Sequence, residues 1–123
     1  MDQHKLLTPL ELKVMNVLWS LGKAFVRELV EQWPEEKEPK FNTVSTIVRI
    51  LEKKGFVGHE PVGRGHCYYP LISKRKYQQH LLGNVLETVF SDSMTGLVST
   101  LLDQRKASQT EIDELKDLLS KQD

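Results

Sequence analysis

Cysteine is almost missing from this 123-residue chain: Cys67 is its single thiol, which excludes an internal disulfide framework and fits a reducing compartment. No apolar run approaches membrane-spanning length, and the opening Met1-Asp2-Gln3-His4-Lys5 is polar, unlike a secretory leader. A cytoplasmic protein without membrane insertion is expected. The motifs that build common catalytic sites are also missing. The chain has no phosphate-binding loop, no G-x-G-x-x-G after a strand and no nucleophile elbow. Its acidic side chains fall in a loop or on the solvent faces of predicted helices, so neither an enzyme nor a cofactor is expected.

Net charge is absent as well, with 17 basic against 17 acidic residues. That balance conceals a segregation along the chain. Residues 40 to 76 hold eight basic and two acidic side chains, a surplus of +6, whereas residues 1 to 39 sum to −2 and residues 77 to 123 to −4. A basic middle flanked by acidic ends suits a polyanionic partner met by one region only.

Thr8-Pro9-Leu10-Glu11 carries several helix-start signals: Thr8 as N-cap, Pro9 at N1 and Glu11 at the capping-box position. Leu12, Met15, Leu18 and Trp19 line one face of the first helix, Val14 widens it, and Gly22 ends it. Residues 26 to 33 predict a shorter second helix that packs through Val26, Leu29, Val30 and Trp33. Pro34 and Pro39 then bracket a solvated acidic loop, Glu35-Glu36-Lys37-Glu38.

The third helix, Asn42 to Lys54, is the most informative segment. Val44, Ile47, Val48 and Leu51 follow the i, i+3, i+4, i+7 spacing of a core stripe, which leaves small polar and basic groups on the opposite face. Asn42, Thr43, Ser45, Thr46 and Arg49 are candidates for base contacts in a major groove, with Lys53 and Lys54 meeting phosphates. Two short strands follow, around Phe56 to Val62 and His66 to Leu71, joined by the turn Gly63-Arg64-Gly65. Arg64 is a candidate for the adjacent minor groove or its phosphates. Phe56, Val57, Tyr69 and Leu71 are the residues expected to hold this hairpin on the helices. His59, His66 and Cys67 are all ligand types, but adjacent strand residues face opposite ways and no paired ligand motif supports them, so no metal site is expected.

From Ser73 onward the pattern is helical and amphipathic. Tyr77, Leu81, Leu82, Val85, Leu86, Val89 and Phe90 form one stripe; Met94, Leu97, Val98, Leu101 and Leu102 a second; Ile112, Leu115, Leu118 and Leu119 a third. The last of these helices is opened by the capping box Ser108-Gln109-Thr110-Glu111. A tail of about 50 residues has too little volume to bury those side chains alone, so burial against a second copy is expected. The fold class that results is mainly α with a small β-hairpin: a winged helix-turn-helix over residues 1–72 and a helical dimerisation region over residues 73–123. A two-fold dimer of that kind reads inverted half-sites. Two other readings stay open from the residues: a ligand- or metal-responsive winged-helix regulator, and a winged helix whose partner is protein.

Glu11-Leu12-Lys13-Val14-Met15-Asn16-Val17-Leu18-Trp19 resembles the E-x-x-V-M-x-x-L-W opening of the penicillinase repressor family, the BlaI/MecI/CopY repressors. The similarity continues through Asn42 to Thr46, Arg49 to Lys54, the Gly63-Arg64 turn, Tyr69, Phe90 and the segment from Met94 to Leu102. It implies a homodimeric transcriptional repressor of β-lactamase or related resistance genes, bound to double-stranded operator DNA. It also implies release through a membrane-bound sensor protease system that leads to cleavage of the tail. The bond in the corresponding place is Thr100-Leu101, where the penicillinase branch carries Asn-Phe. The paired C-terminal cysteines of the copper-responsive branch have no counterpart here, which excludes copper sensing through that motif.

Overall fold

The computed structural model describes residues 6–122, so the polar opening segment lies outside it. In chain order the elements are α1 (Pro9–Leu21), α2 (Val26–Glu31), α3 (Phe41–Lys53), β1 (Val57–Val62), β2 (Gly65–Pro70), α4 (Lys74–Thr88), α5 (Met94–Gln104) and α6 (Gln109–Ser120). They form two compact units, one ending at Leu81 and the other beginning at Leu82.

In the first unit, α1 starts where its capping signals put it. The Glu11 N–H donates to Thr8 Oγ1 (3.2 Å) and the Thr8 N–H donates to Glu11 Oε1 (2.9 Å), which satisfies two otherwise orphaned amides. Val14, Met15 and Leu18 of α1, Leu29 of α2 and Val44, Val48 and Leu51 of α3 are wholly buried together with Phe56. The predicted stripe of α3 is therefore its core face, each such side chain contributing about 1.5–3 kcal/mol by leaving water. Helix α2 stops at Glu31, short of the expected end. Trp33 is still buried beyond it, with its indole N–H donating to Glu35.

The hairpin pairs antiparallel, from Val57 opposite Pro70 to Val62 opposite Gly65. Gly63 takes the positive φ (61°) that a two-residue hairpin loop demands at its first central position. The expected packing residues are corrected in part. Phe56 and Val57 are buried, but Tyr69 is half-buried and Leu71 exposed, while Tyr68 joins the core. The reason is strand parity: Tyr69 lies opposite Gly58, and its ring covers the glycine there, leaving its neighbour Tyr68 on the helix-facing side. Tyr68 also makes a two-way backbone bridge to Ala24, N–H to O at 2.8 and 2.9 Å, which fastens the hairpin to the loop between α1 and α2.

A second correction concerns Tyr77. The tail pattern puts it on one stripe with Leu81 and the other expected dimerisation residues, yet it is buried in the first unit. Its ring lies 6.0 Å from those of both Trp19 and Phe56, and its hydroxyl accepts from the Leu7 N–H (3.0 Å). Leu81 packs against the same core. The start of α4 thus belongs to the winged unit, and Tyr77 is the residue of that helix that its core buries.

In the second unit, Ser93 and Ser108 cap α5 and α6 by accepting from the N–H groups of Gly96 (2.9 Å) and Glu111 (3.1 Å). Neither helix has a buried residue. Leu82, Val89, Met94, Val98, Leu101, Leu102, Leu115, Leu118 and Leu119 are exposed, while Val85, Leu86, Phe90, Leu97 and Ile112 are half-buried. Leu101, Leu102, Leu115 and Leu118 line a groove of about 770 Å³ between α5 and α6. Among the described residues, no helix is long and apolar enough to cross a membrane.

Candidate nucleic-acid interface

Burial of the α3 stripe turns the other side of that helix outward. Asn42, Thr43, Thr46, Arg49 and Lys53 are exposed and Ser45 is half-buried. Thr46 Oγ1 donates to the Asn42 carbonyl (2.9 Å), so its lone pairs are the part left free for a partner. Arg64, at the tip of the hairpin, is exposed.

Lys54 behaves differently from the phosphate contact expected of it. Its ammonium lies 2.8 Å from both carboxylate oxygens of Glu11, and Glu11 is only 5% exposed. The bond ties the end of α3 to the start of α1, and the charge of Lys54 is answered inside the fold. Burial works to raise the Glu11 pKa, but the Lys54 ammonium and the Thr8 N–H outweigh it and hold the carboxyl below its ordinary range. The positive face therefore rests on Arg49, Lys53 and Arg64, not on Lys54.

The fold adds residues that the sequence did not single out. Arg27, on the first turn of α2, lies with its guanidinium carbon 4.9 Å from the centre of the Phe25 ring. The Phe25 ring in turn sits so near Gly65 that a Cβ there would meet it at 3.2 Å. Arg27, Arg49 and Arg64 converge with Phe25, Phe41 and His66 on a groove of about 340 Å³ beside α3. The signal that could have found Arg27 is its place in α2: Val26, Leu29 and Val30 take the core side and leave the arginine exposed at its flank.

His59 and His66 stack, ring centres 4.5 Å apart, and His59 Nδ1 lies 2.6 Å from Glu52 Oε2 at the end of α3. Cys67 is buried on the other side of the strand. Among the described residues, no group of three or more His, Cys, Asp or Glu side chains is placed to hold a metal ion. What the surface offers chemically is a helix with short polar groups, a row of guanidinium forks and one ammonium. That set suits the edges of bases and the phosphates around them.

Comparison with known proteins agrees with this chemistry. The penicillinase repressor family model matches residues 7–121. The methicillin resistance regulatory protein MecI of Staphylococcus aureus (strain N315) is 27% identical over 111 residues, covering 90% of each chain. The penicillinase repressor of Bacillus licheniformis is 27% identical over 109 residues, covering 89% of this chain and 85% of the relative. Among solved structures, the DNA binding domain of the repressor BlaI is similar, with a TM-score of 0.51 and 28% identity over 58% of this chain and 87% of that one. With its winged helix, the exposed polar and basic side of α3 and a match along nearly its whole length, the chain belongs to the penicillinase repressor family, whose members are DNA-binding transcriptional repressors and not enzymes.

Proposed function

We propose that the protein acts in the cytoplasm as a homodimer, occupying an inverted-repeat operator and blocking transcription of β-lactamase or related resistance and regulatory genes. The observation that carries this reading is the outward face of α3, where Asn42, Thr43, Thr46, Arg49 and Lys53 are exposed beside Arg64. Asn42 can read adenine bidentately and Arg49 guanine, while Ser45 and Thr46 present short hydroxyls. Lys53 and Arg64 meet phosphates or the neighbouring minor groove.

Pairing through the tail brings two such faces to one duplex. The uncovered leucines, valines and Met94 of residues 82–119 form an apolar surface that a second copy of the same helices can bury symmetrically. Release follows when a membrane-bound sensor protease system leads to cleavage of the tail. The Thr100-Leu101 bond lies inside α5, with the Thr100 hydroxyl donating to the Gly96 carbonyl (2.8 Å), so a protease must first unwind that turn.

A titration on cognate and shuffled duplexes at several salt concentrations tests the DNA reading. Affinity should fall steeply with salt, and Lys53→Ala should lower the slope of log K against log salt by about one unit. Arg49→Ala should weaken cognate binding by about 1–3 kcal/mol with much less loss on shuffled DNA. Equal losses on both duplexes would demote Arg49 to a backbone contact, and salt-insensitive binding without sequence preference would defeat the repressor reading.

A further inference from the structure

Phe41 is the first residue of α3 and is 53% exposed, an apolar ring outside the buried stripe of Val44, Ile47, Val48 and Leu51. It lines the groove beside α3 with Ser45 and Arg49, which follow it at four and eight residues on one row of the helix. Phe25, Arg27 and Arg64 line the same groove, with the Arg27 guanidinium carbon 4.9 Å from the centre of the Phe25 ring.

Whatever covers Phe41 must be apolar where it touches the ring and anionic around it. Three guanidinium groups so close to one aromatic surface disfavour a neutral or basic protein partner. In a recognition helix, the N-terminal residues reach the base edges. The major groove of DNA offers one apolar substituent among its phosphates, the 5-methyl group of thymine.

We infer that Phe41 is a specificity-determining residue that takes the methyl group of an operator thymine against its ring, with Arg27, Arg49 and Arg64 holding the duplex around it. The inference rests on the DNA-binding reading and adds to it a non-polar readout at the leading end of α3. It requires a thymine at one fixed position in each half-site. Ile50, the other exposed apolar residue of α3, lies nine residues further on, which puts it on the opposite side of the helix from Phe41.

The test uses duplexes that the full-length wild-type protein enriches from random-sequence DNA, with each thymine replaced in turn by uracil, which lacks only the methyl group. One position per half-site should lose about fourfold in affinity, the factor for one buried methyl or methylene group. In Phe41→Ala that sensitivity should vanish, while overall binding weakens severalfold. In Ile50→Ala the same uracil effect should persist. Phe41→Leu, still apolar, should retain part of it.

If uracil scanning finds no sensitive position, or if the effect survives in Phe41→Ala at full size, the inference is overturned while sequence-specific binding stands. If the wild-type protein enriches no consensus at all, the repressor reading falls and takes this inference with it. Tight capture of an acidic protein by the same face, abolished by Phe41→Ala and accompanied by no DNA consensus, would assign the groove to a protein partner and would also overturn it.

Discussion

Leu101→Asp should turn the proposed homodimer into monomers in a sedimentation experiment and lower operator affinity by about 10²–10⁴-fold. The apolar groove of the second unit is floored by Leu101 and Leu102 of α5 and by Leu115 and Leu118 of α6. Leu101 is 55% exposed in a single chain, so an aspartate there costs the monomer little. In a paired tail that buries this position, the same carboxylate has to be stripped of water, which costs several kcal/mol unless a cation receives it. The DNA effect follows from linkage: two tethered reading heads gain an effective concentration that single heads lack. Far-ultraviolet circular dichroism should show the helices retained. A Leu101→Asp protein that still sediments as a dimer would place the contact between copies elsewhere.

Lys54→Met should destabilise the winged unit by about 3 kcal/mol at neutral pH, measured by urea unfolding. The substitution leaves a carboxylate that is 5% exposed with its Thr8 amide but without its ammonium. Removing one partner of a buried pair leaves the other uncompensated, and that penalty exceeds what the intact pair contributes. The pH dependence gives a sharper check. In the wild type the folded-state pKa of Glu11 is lowered, so its contribution is fully present above the ordinary carboxylate pKa. That contribution is lost as pH falls through the lowered value. In Lys54→Met, burial is left opposed by Thr8 alone, so protonation relieves the buried charge and the gap between variant and wild type should narrow on acidification. Glu11→Gln should cost less, because the amide oxygen can still accept from the Thr8 N–H and the longer Lys54 stem can carry its charge to water. A gap that stays constant down to acid pH would mean that Glu11 is not the group responding.

These two positions also mark what could and could not be read from the sequence. Thr8 with Glu11, Ser108 with Glu111 and the Val44-Ile47-Val48-Leu51 stripe are patterns spaced by three or four residues, and helix geometry alone gives them meaning. The partner of Glu11 is 43 residues away in the chain. No local rule connects them, so Lys54 looks like one more exposed base at a helix end. Tyr77 illustrates a different gap: period tells which side of a helix is apolar, but not which neighbouring elements cover it. The groove around Phe41 joins α2, α3 and the hairpin, three separated segments of the chain. Its arginines could be counted beforehand, but their convergence depends on tertiary packing. The exchange of Tyr69 for Tyr68 as the inward residue shows how a one-place ambiguity in a strand reverses every side chain.

The reciprocal bond between Ala24 and Tyr68 bears on how the surface meets its ligand. Both residues are buried, 1% and 5% exposed, and each supplies the other's backbone partner. Their amides can exchange with deuterated water only when the root of the hairpin lifts from the helices, so they should be among the slowest in the chain. Positions at the tip, such as Arg64, should exchange in the time of ordinary loop opening. The hairpin is therefore a hinged blade with a fixed root: its orientation beside α3 is settled while the chain folds, and only the tip has freedom left to lose when a duplex arrives.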